Sequence, residues 1–191
     1  MIKFPYEAIA IGASAGCMDA LSQILPALPA DYPVPVLVVV HLPPDRDSMM
    51  ASLLQEKCAV KICEASDKEP LLSGTVYLAP PDYHMLVEAD RTLSLSNEEE
   101  VLFSRPSIDV TFESAADVFE KKLLGIVLTG GNNDGAKGLE TIIAGGGRGI
   151  VQDPDTAFSS IMPDYAIIAC PSADIMSLDA IAKYLQDLVQ K

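Results

Sequence analysis

The stretch AIAIGASAGCMDAL, residues 8–21, passes from an unbroken apolar run into a helical pattern, with a serine between two glycines at the junction. An apolar run without polar alternation suits a strand covered on both faces, as in a parallel sheet. A hydroxyl in the turn that follows serves as a helix cap, as part of a phosphate cradle or as a nucleophile. The rest of the chain decides among the three.

Comparable runs recur as VLVVV (36–40), GIVLTG (125–130), GIVQ (149–152) and AIIAC (166–170), each read as a strand. Helix-length segments lie at 17–27, 46–57, 107–121, 135–145 and 178–190. Strands alternating with helices predict a doubly wound α/β fold, a mostly parallel sheet flanked by helices. The middle of the chain differs: GTVYLAP, HMLVEAD and RTLSLSN (74–97) alternate apolar and polar residues between turn formers, the pattern of an antiparallel hairpin at one edge of the sheet. NEEE (97–100) reads as a solvated loop. AGGGRG (144–149) falls where a helix ends and its dipole is negative, so it reads as a C-terminal turn and not as a phosphate cradle. No repeat or linker breaks the chain, and residues 1–191 read as a single domain.

A hydrophobic content of 49% is ample for a buried core. The net charge of −14 repels a phosphate backbone and anionic lipid alike, which disfavours nucleic acid and membrane surfaces as partners. The apolar runs fall short of the ~20 residues a membrane span needs. The start, MIKFPYEAIA, lacks the core and cleavage site of a secretory signal, so the expected location is the cytoplasm. Cys17, Cys58, Cys63 and Cys170 form no CxxC pair and have no histidine at metal-ligand spacing; they read as reduced thiols, mostly core.

In an open α/β sheet the ligand crevice lies at the carboxyl ends of the strands. Ser14 follows the first strand, His41 the second, and Asp134 lies in the glycine-rich loop LTGGNNDGAKG after the 125–130 run. Singly, Ser14 and Asp134 read equally well as N-caps and His41 as a structural histidine. Together they are the set that acyl transfer requires: a nucleophile, a base that removes its proton, and a carboxylate that holds the base in its useful tautomer. Gly12-Ala13-Ser14-Ala15-Gly16 also matches G-x-S-x-G, although the order Ser, His, Asp differs from that of the α/β-hydrolases. The other histidine, His84, opens a hairpin strand and reads as structural or as part of the rim. Pro43 and Pro44 stop the second strand and fix where His41 points. Candidate oxyanion donors are the amides of Ala15 and of the Gly130-Gly131 stretch, notably Gly131. A nucleotide cradle at Gly12–Gly16 lacks both the glycine spacing and a nearby cation.

With these residues in view, the sequence resembles the catalytic domain of CheB-type protein-glutamate methylesterases. The matching segments are IGASAG, VVHLPP, GTVYLAPPDYHMLV, RPSIDVTFESAA, GIVLTGGNNDGAKG and VQDPDTAFSSIMPDYAI, in the family's order over residues 8–168. The resemblance implies a serine hydrolase that removes methyl groups from glutamyl γ-methyl esters on cytoplasmic chemoreceptor helices, with some relatives also deamidating glutamines. It implies Ser14 as nucleophile, His41 as base and then acid, Asp134 as the orienting carboxylate, and no metal or organic cofactor. Where the family usually has Gly-Gly after the nucleophile turn, this chain has Gly16-Cys17; where it has Met-Gly in the aspartate loop, this chain has Gly131-Asn132, which removes a bulky side chain beside the oxyanion site. Many relatives also carry a phosphorylatable receiver domain ahead of this one, whereas here the first strand begins within ten residues of the start. The expectation is a constitutively open esterase, or a part of or partner to a larger assembly containing a methyltransferase or signalling module. Two further readings stay open: a docking module that has lost turnover, and an esterase acting on another methylated protein or a small ester.

Overall fold

Alternate residues of β1 (Ala8–Ala13) enter two different cores, which is why its sequence shows no polar face. Ile9, Ile11 and Ala13 pack with α1 (Cys17–Ile24) and α6 (Leu178–Gln190), whereas Ala8 and Ala10 share a second core with α3 (Ile108–Phe119), α4 (Ala136–Ala144) and α5 (Ile161–Ala169). The structure, a computed structural model, describes residues 4–41 and 49–190. The other main-sheet strands are β2 (Val36–Val40), β3 (Lys61–Glu64), β4 (Thr75–Leu78), β7 (Leu123–Val127), β8 (Arg148–Gln152) and β9 (Asp174–Met176), and α2 (Met50–Gln55) joins the first helical layer. The seven strands are all parallel and lie in the order β3-β4-β2-β1-β7-β8-β9. From β1 the chain crosses to β2 on one side and later returns to β7 on the other. The carboxyl end of β1 is therefore where the strand order reverses and where the crevice opens.

The doubly wound sheet matches the sequence reading, with corrections in detail. The AIIAC run is not a strand; it is the latter part of α5 and its end. Met162, Ala166 and Cys170 face the core at helical spacing, but Ile161, Tyr165 and Ile168 make the outer face apolar as well. A run apolar on both faces hides its period. The edge strands β3 and β9 escaped notice because they are short and partly exposed. All four residues of β4 are buried, so TVYL is a parallel strand between β2 and β3 and not part of the hairpin. The antiparallel pair is β5 (His84–Val87) with β6 (Leu93–Ser96), a separate two-stranded sheet tied to α3 by Thr111 Oγ1 donating to Met85 O at 2.6 Å. The strand expected at 125–130 occupies Leu123–Val127; Leu128 and Thr129 still bond the main chain of Gly12 and Ser14 as the chain enters the aspartate loop. Of the helix expected at 46–57, α2 covers Met50–Gln55; residues 46–48, with Pro43 and Pro44, lie outside the described residues.

Among the described residues no helix is long and apolar enough to cross a membrane. The four cysteines are free thiols, and burial raises the pKa of each, that of Cys170 to about 11.

Two glycines shape the crevice. Gly16 sits at φ +82°, the left-handed conformation that turns the chain from β1 into α1. Gly12 lets α3 abut the end of β1, for a β-carbon there would lie 2.4 Å from Ile108 Cγ2. Gly12→Ala should therefore lower stability by about 1–3 kcal/mol through overpacking, measured by urea denaturation; an unchanged midpoint would show that α3 does not depend on this contact.

Candidate active site

Parallel pairing of Ala13 with Val40 sets Ser14 and His41 side by side at the ends of β1 and β2. Thr129 pins the serine turn from the other flank. Its carbonyl accepts Ser14 N–H at 2.8 Å, its hydroxyl donates to Ala15 O at 2.7 Å, and its own amide donates to the buried Gln152 side chain at 2.9 Å. The turn is thus held through its own main chain, by Thr129 on one flank and by His41 N–H donating to Ala13 O on the other, while Ser14 stays partly exposed. α1 has no side-chain cap, so Ser14 is not spent as one.

The imidazole of His41 is 13% exposed and places Nε2 2.7 Å from Oδ2 of Asp134, whose side chain is wholly buried. Asp134 precedes α4 but does not cap it. Its carboxylate reaches across to the start of α3, where Ile108 N–H donates to Oδ2 at 2.7 Å, Asp109 N–H to Oδ1 at 2.9 Å and the Ser107 hydroxyl to Oδ1 at 3.0 Å. With His41 these make four donors to two oxygens. Burial works to raise the pKa of Asp134, but the bonds from His41 and from the Asp109 and Ile108 amides outweigh it and hold the group below the ordinary carboxylate value. An ionised carboxylate only accepts, so Nε2 of His41 carries the hydrogen and Nδ1 is the basic nitrogen, with no hydrogen-bond partner among the described residues.

His84 takes no direct part. It is buried, accepts Ser107 N–H at Nδ1 (3.1 Å) and donates from Nε2 to Glu99 O (3.0 Å), which steadies the residue whose hydroxyl grips Asp134. Asn132 holds the aspartate loop from the other side, its Oδ1 accepting Asp134 N–H at 3.1 Å. The sequence reading passed over Thr129, Ser107 and Asn132 as site residues. Ser107 and Asp109 at the head of a helix carry a capping signal, but nothing in the sequence says whose groups they meet.

Among the described residues no hydrogen bond links Ser14 Oγ to the imidazole, and none takes up the amides of Ala15 and Gly131. A β-carbon at Gly131 would meet nothing within 4 Å, so the loop there faces open space.

Fold and site together describe an α/β protein whose crevice, at the reversal of strand order, sets a carboxylate-held imidazole beside a serine turn. The chain belongs to the CheB methylesterase family, which it matches over residues 9–185. A Leptospira interrogans protein (serovar Lai, strain 56601) is 49% identical over 178 residues, covering 93% of this chain and 92% of its own. The protein-glutamate methylesterase/protein-glutamine glutaminase of Symbiobacterium thermophilum is 38% identical over 180 residues, covering 94% of this chain and 50% of its own. The crystal structure of the Thermotoga maritima CheB methylesterase catalytic domain superposes with a TM-score of 0.92 at 30% identity, covering 96% of this chain and 98% of that one.

Because its folded pKa lies below the unfolded value, Asp134 contributes stability that is present above about pH 4 and lost as pH falls through the folded pKa. Ser107→Ala should cost about 1.5–3 kcal/mol at pH 7, as for a hydrogen bond to a charged group. That difference should shrink as the pH is lowered below 4, and urea denaturation across this range reads it. A difference independent of pH would mean that the hydroxyl does not serve the charge.

Proposed function

We propose that this chain hydrolyses glutamyl γ-methyl esters, and the corresponding glutamine amides, on the cytoplasmic helices of chemoreceptors. The observation that carries the reading is the 2.7 Å contact of His41 Nε2 with a fully buried Asp134, placed one strand away from Ser14. The names borne by its relatives, protein-glutamate methylesterase and protein-glutamine glutaminase, support the choice of substrate.

The chemistry follows from which nitrogen is free. With Nε2 committed to Asp134, Nδ1 takes the proton as Ser14 Oγ attacks the γ-carbonyl, and Asp134 stabilises the imidazolium without taking the proton itself. The amides of Ala15 and Gly131 receive the oxyanion. Collapse of the tetrahedral intermediate breaks the bond to methoxide, or to the amide nitrogen of glutamine. The leaving group takes the proton from Nδ1 and departs as methanol or ammonia. Water then gives its proton to the same nitrogen, attacks the acyl-serine and releases the glutamate carboxylate with a free Ser14 hydroxyl. A signalling or methyltransferase module is the natural partner, since only methylation regenerates the substrate.

The test is release of volatile methanol from membranes bearing radiomethylated receptors. Wild type should release it, Ser14→Ala should be slower by about 10⁶-fold and Asp134→Ala by about 10⁴-fold. A fluorophosphonate probe should label wild type and leave Ser14→Ala untouched. Labelling without methanol release would move the substrate elsewhere, and absence of both would leave a docking module.

A further inference from the structure

The helices α3 and α4 exchange caps. Asp134, from the loop before α4, accepts the first amides of α3, while Asp109, in the first turn of α3, accepts the first amides of α4: Gly135 N–H at 2.9 Å and Gly138 N–H at 2.6 Å, both at Oδ1. Neither helix has a side-chain cap from its own N-cap residue. Asp109 thereby holds Asp134 twice. Its backbone amide grips the carboxylate, and its side chain grips the amide of the very next residue, Gly135. The approach is close enough that a β-carbon at Gly138 would lie 2.6 Å from Phe112 Cβ and 3.1 Å from Asp109 Oδ1.

We propose that Asp109 is a positioning residue for the His41–Asp134 pair, acting through its Oδ1 on the backbone that carries Asp134. The inference rests on the functional reading above and extends it to a residue that touches neither substrate nor imidazole. Since Oδ1 receives both amides, what positioning demands is an acceptor and not a charge. The surroundings agree: burial, and then the neighbouring charges of Asp134 and Glu113, raise the pKa of Asp109 from 3.8 to about 6 against the pull of the Gly138 and Gly135 amides. The other charged groups facing the cleft beside it are Lys137, which pairs with Glu113 at 2.9 Å, and Glu140. A neutral carboxyl keeps its carbonyl oxygen as an acceptor.

The experiment compares Asp109→Ala, Asp109→Asn and, as a control for lost stability, Phe119→Ala, which opens a cavity at the far end of α3. Asp109→Ala should lower kcat for methanol release by about 10–100-fold, the scale of a 1 Å misplacement, with KM unchanged. Asp109→Asn should restore kcat to within about threefold of wild type, as the retained Oδ1 requires. Phe119→Ala should lower the Tm without changing kcat at temperatures where it is folded. The proposal is overturned if Asp109→Ala keeps wild-type kcat, if Asn does not rescue, or if Phe119→Ala loses kcat in step with Tm. The nuclear magnetic resonance signal of the His41 Nε2 proton supplies a readout independent of turnover. If wild type releases no methanol, a shift of that signal in Asp109→Ala, reversed in Asp109→Asn, upholds the positioning role while the substrate assignment falls; an unmoved signal overturns the positioning role.

Discussion

A carboxylate with no contact with water must find its solvation inside the protein, and Asp134 finds it in four donors, one for each lone-pair direction of its two oxygens. Two of these are amides from the first turn of α3, where the helix dipole favours a negative charge. The consequence is architectural. The start of α3 has to lie under the end of β1 and beside the loop that leaves β7, and Gly12 and Gly135 are bare of side chains where Ile108 passes, a β-carbon on either falling 2.4 or 2.9 Å from its Cγ2. Gly12, near the end of β1, thus serves the carboxylate by making room for α3.

The same constraint explains why the segment before α3 is built as it is. Ser107 must present both its amide, to His84, and its hydroxyl, to Asp134, and His84 keeps its orientation by donating to Glu99 O. The separate β5–β6 sheet is the platform for His84, and α3 is fixed to that sheet through Thr111. An element that looks peripheral in the topology therefore sets the angle at which α3 meets the aspartate loop.

What could be read from the sequence divides along a physical line. Buried parallel strands announce themselves as short apolar runs, and residues in the loops after them fall at the crevice by topology, so Ser14, His41 and Asp134 could be named as candidates before any coordinates. The same rule misled at residues 166–170, where a helix apolar on both faces mimics a strand, and it missed β3 and β9, whose exposed edges carry polar residues. The grip on Asp134 was hidden for another reason. Ser107 and Asp109 lie 25 to 29 positions from the groups they bond, and a cap exchanged between two helices leaves only the signature of an ordinary helix start in each. The alternative reading of Asp134 as an ordinary cap of the helix beside it does not hold: the carboxylate accepts from Ser107, Ile108 and Asp109 at the start of α3.

The two halves of the site differ in stiffness. On one side, imidazole, carboxylate, Ser107, His84 and Asp109 form a continuous bonded network, most of it buried, in which each polar group is fixed by another. On the other, Thr129 holds the serine turn through its main chain, and the Ser14 hydroxyl has no hydrogen-bond partner among the described residues. An electrostatic partner is worth most when it needs no rearrangement as charge develops, so rigidity suits the pair that, in the proposed mechanism, would carry the imidazolium. In the proposed mechanism freedom suits the hydroxyl, which would swing between the basic nitrogen and the carbonyl carbon it attacks. In the proposed mechanism a carboxylate whose every lone pair is occupied does not compete for that proton, and the cycle would run on one nitrogen alone.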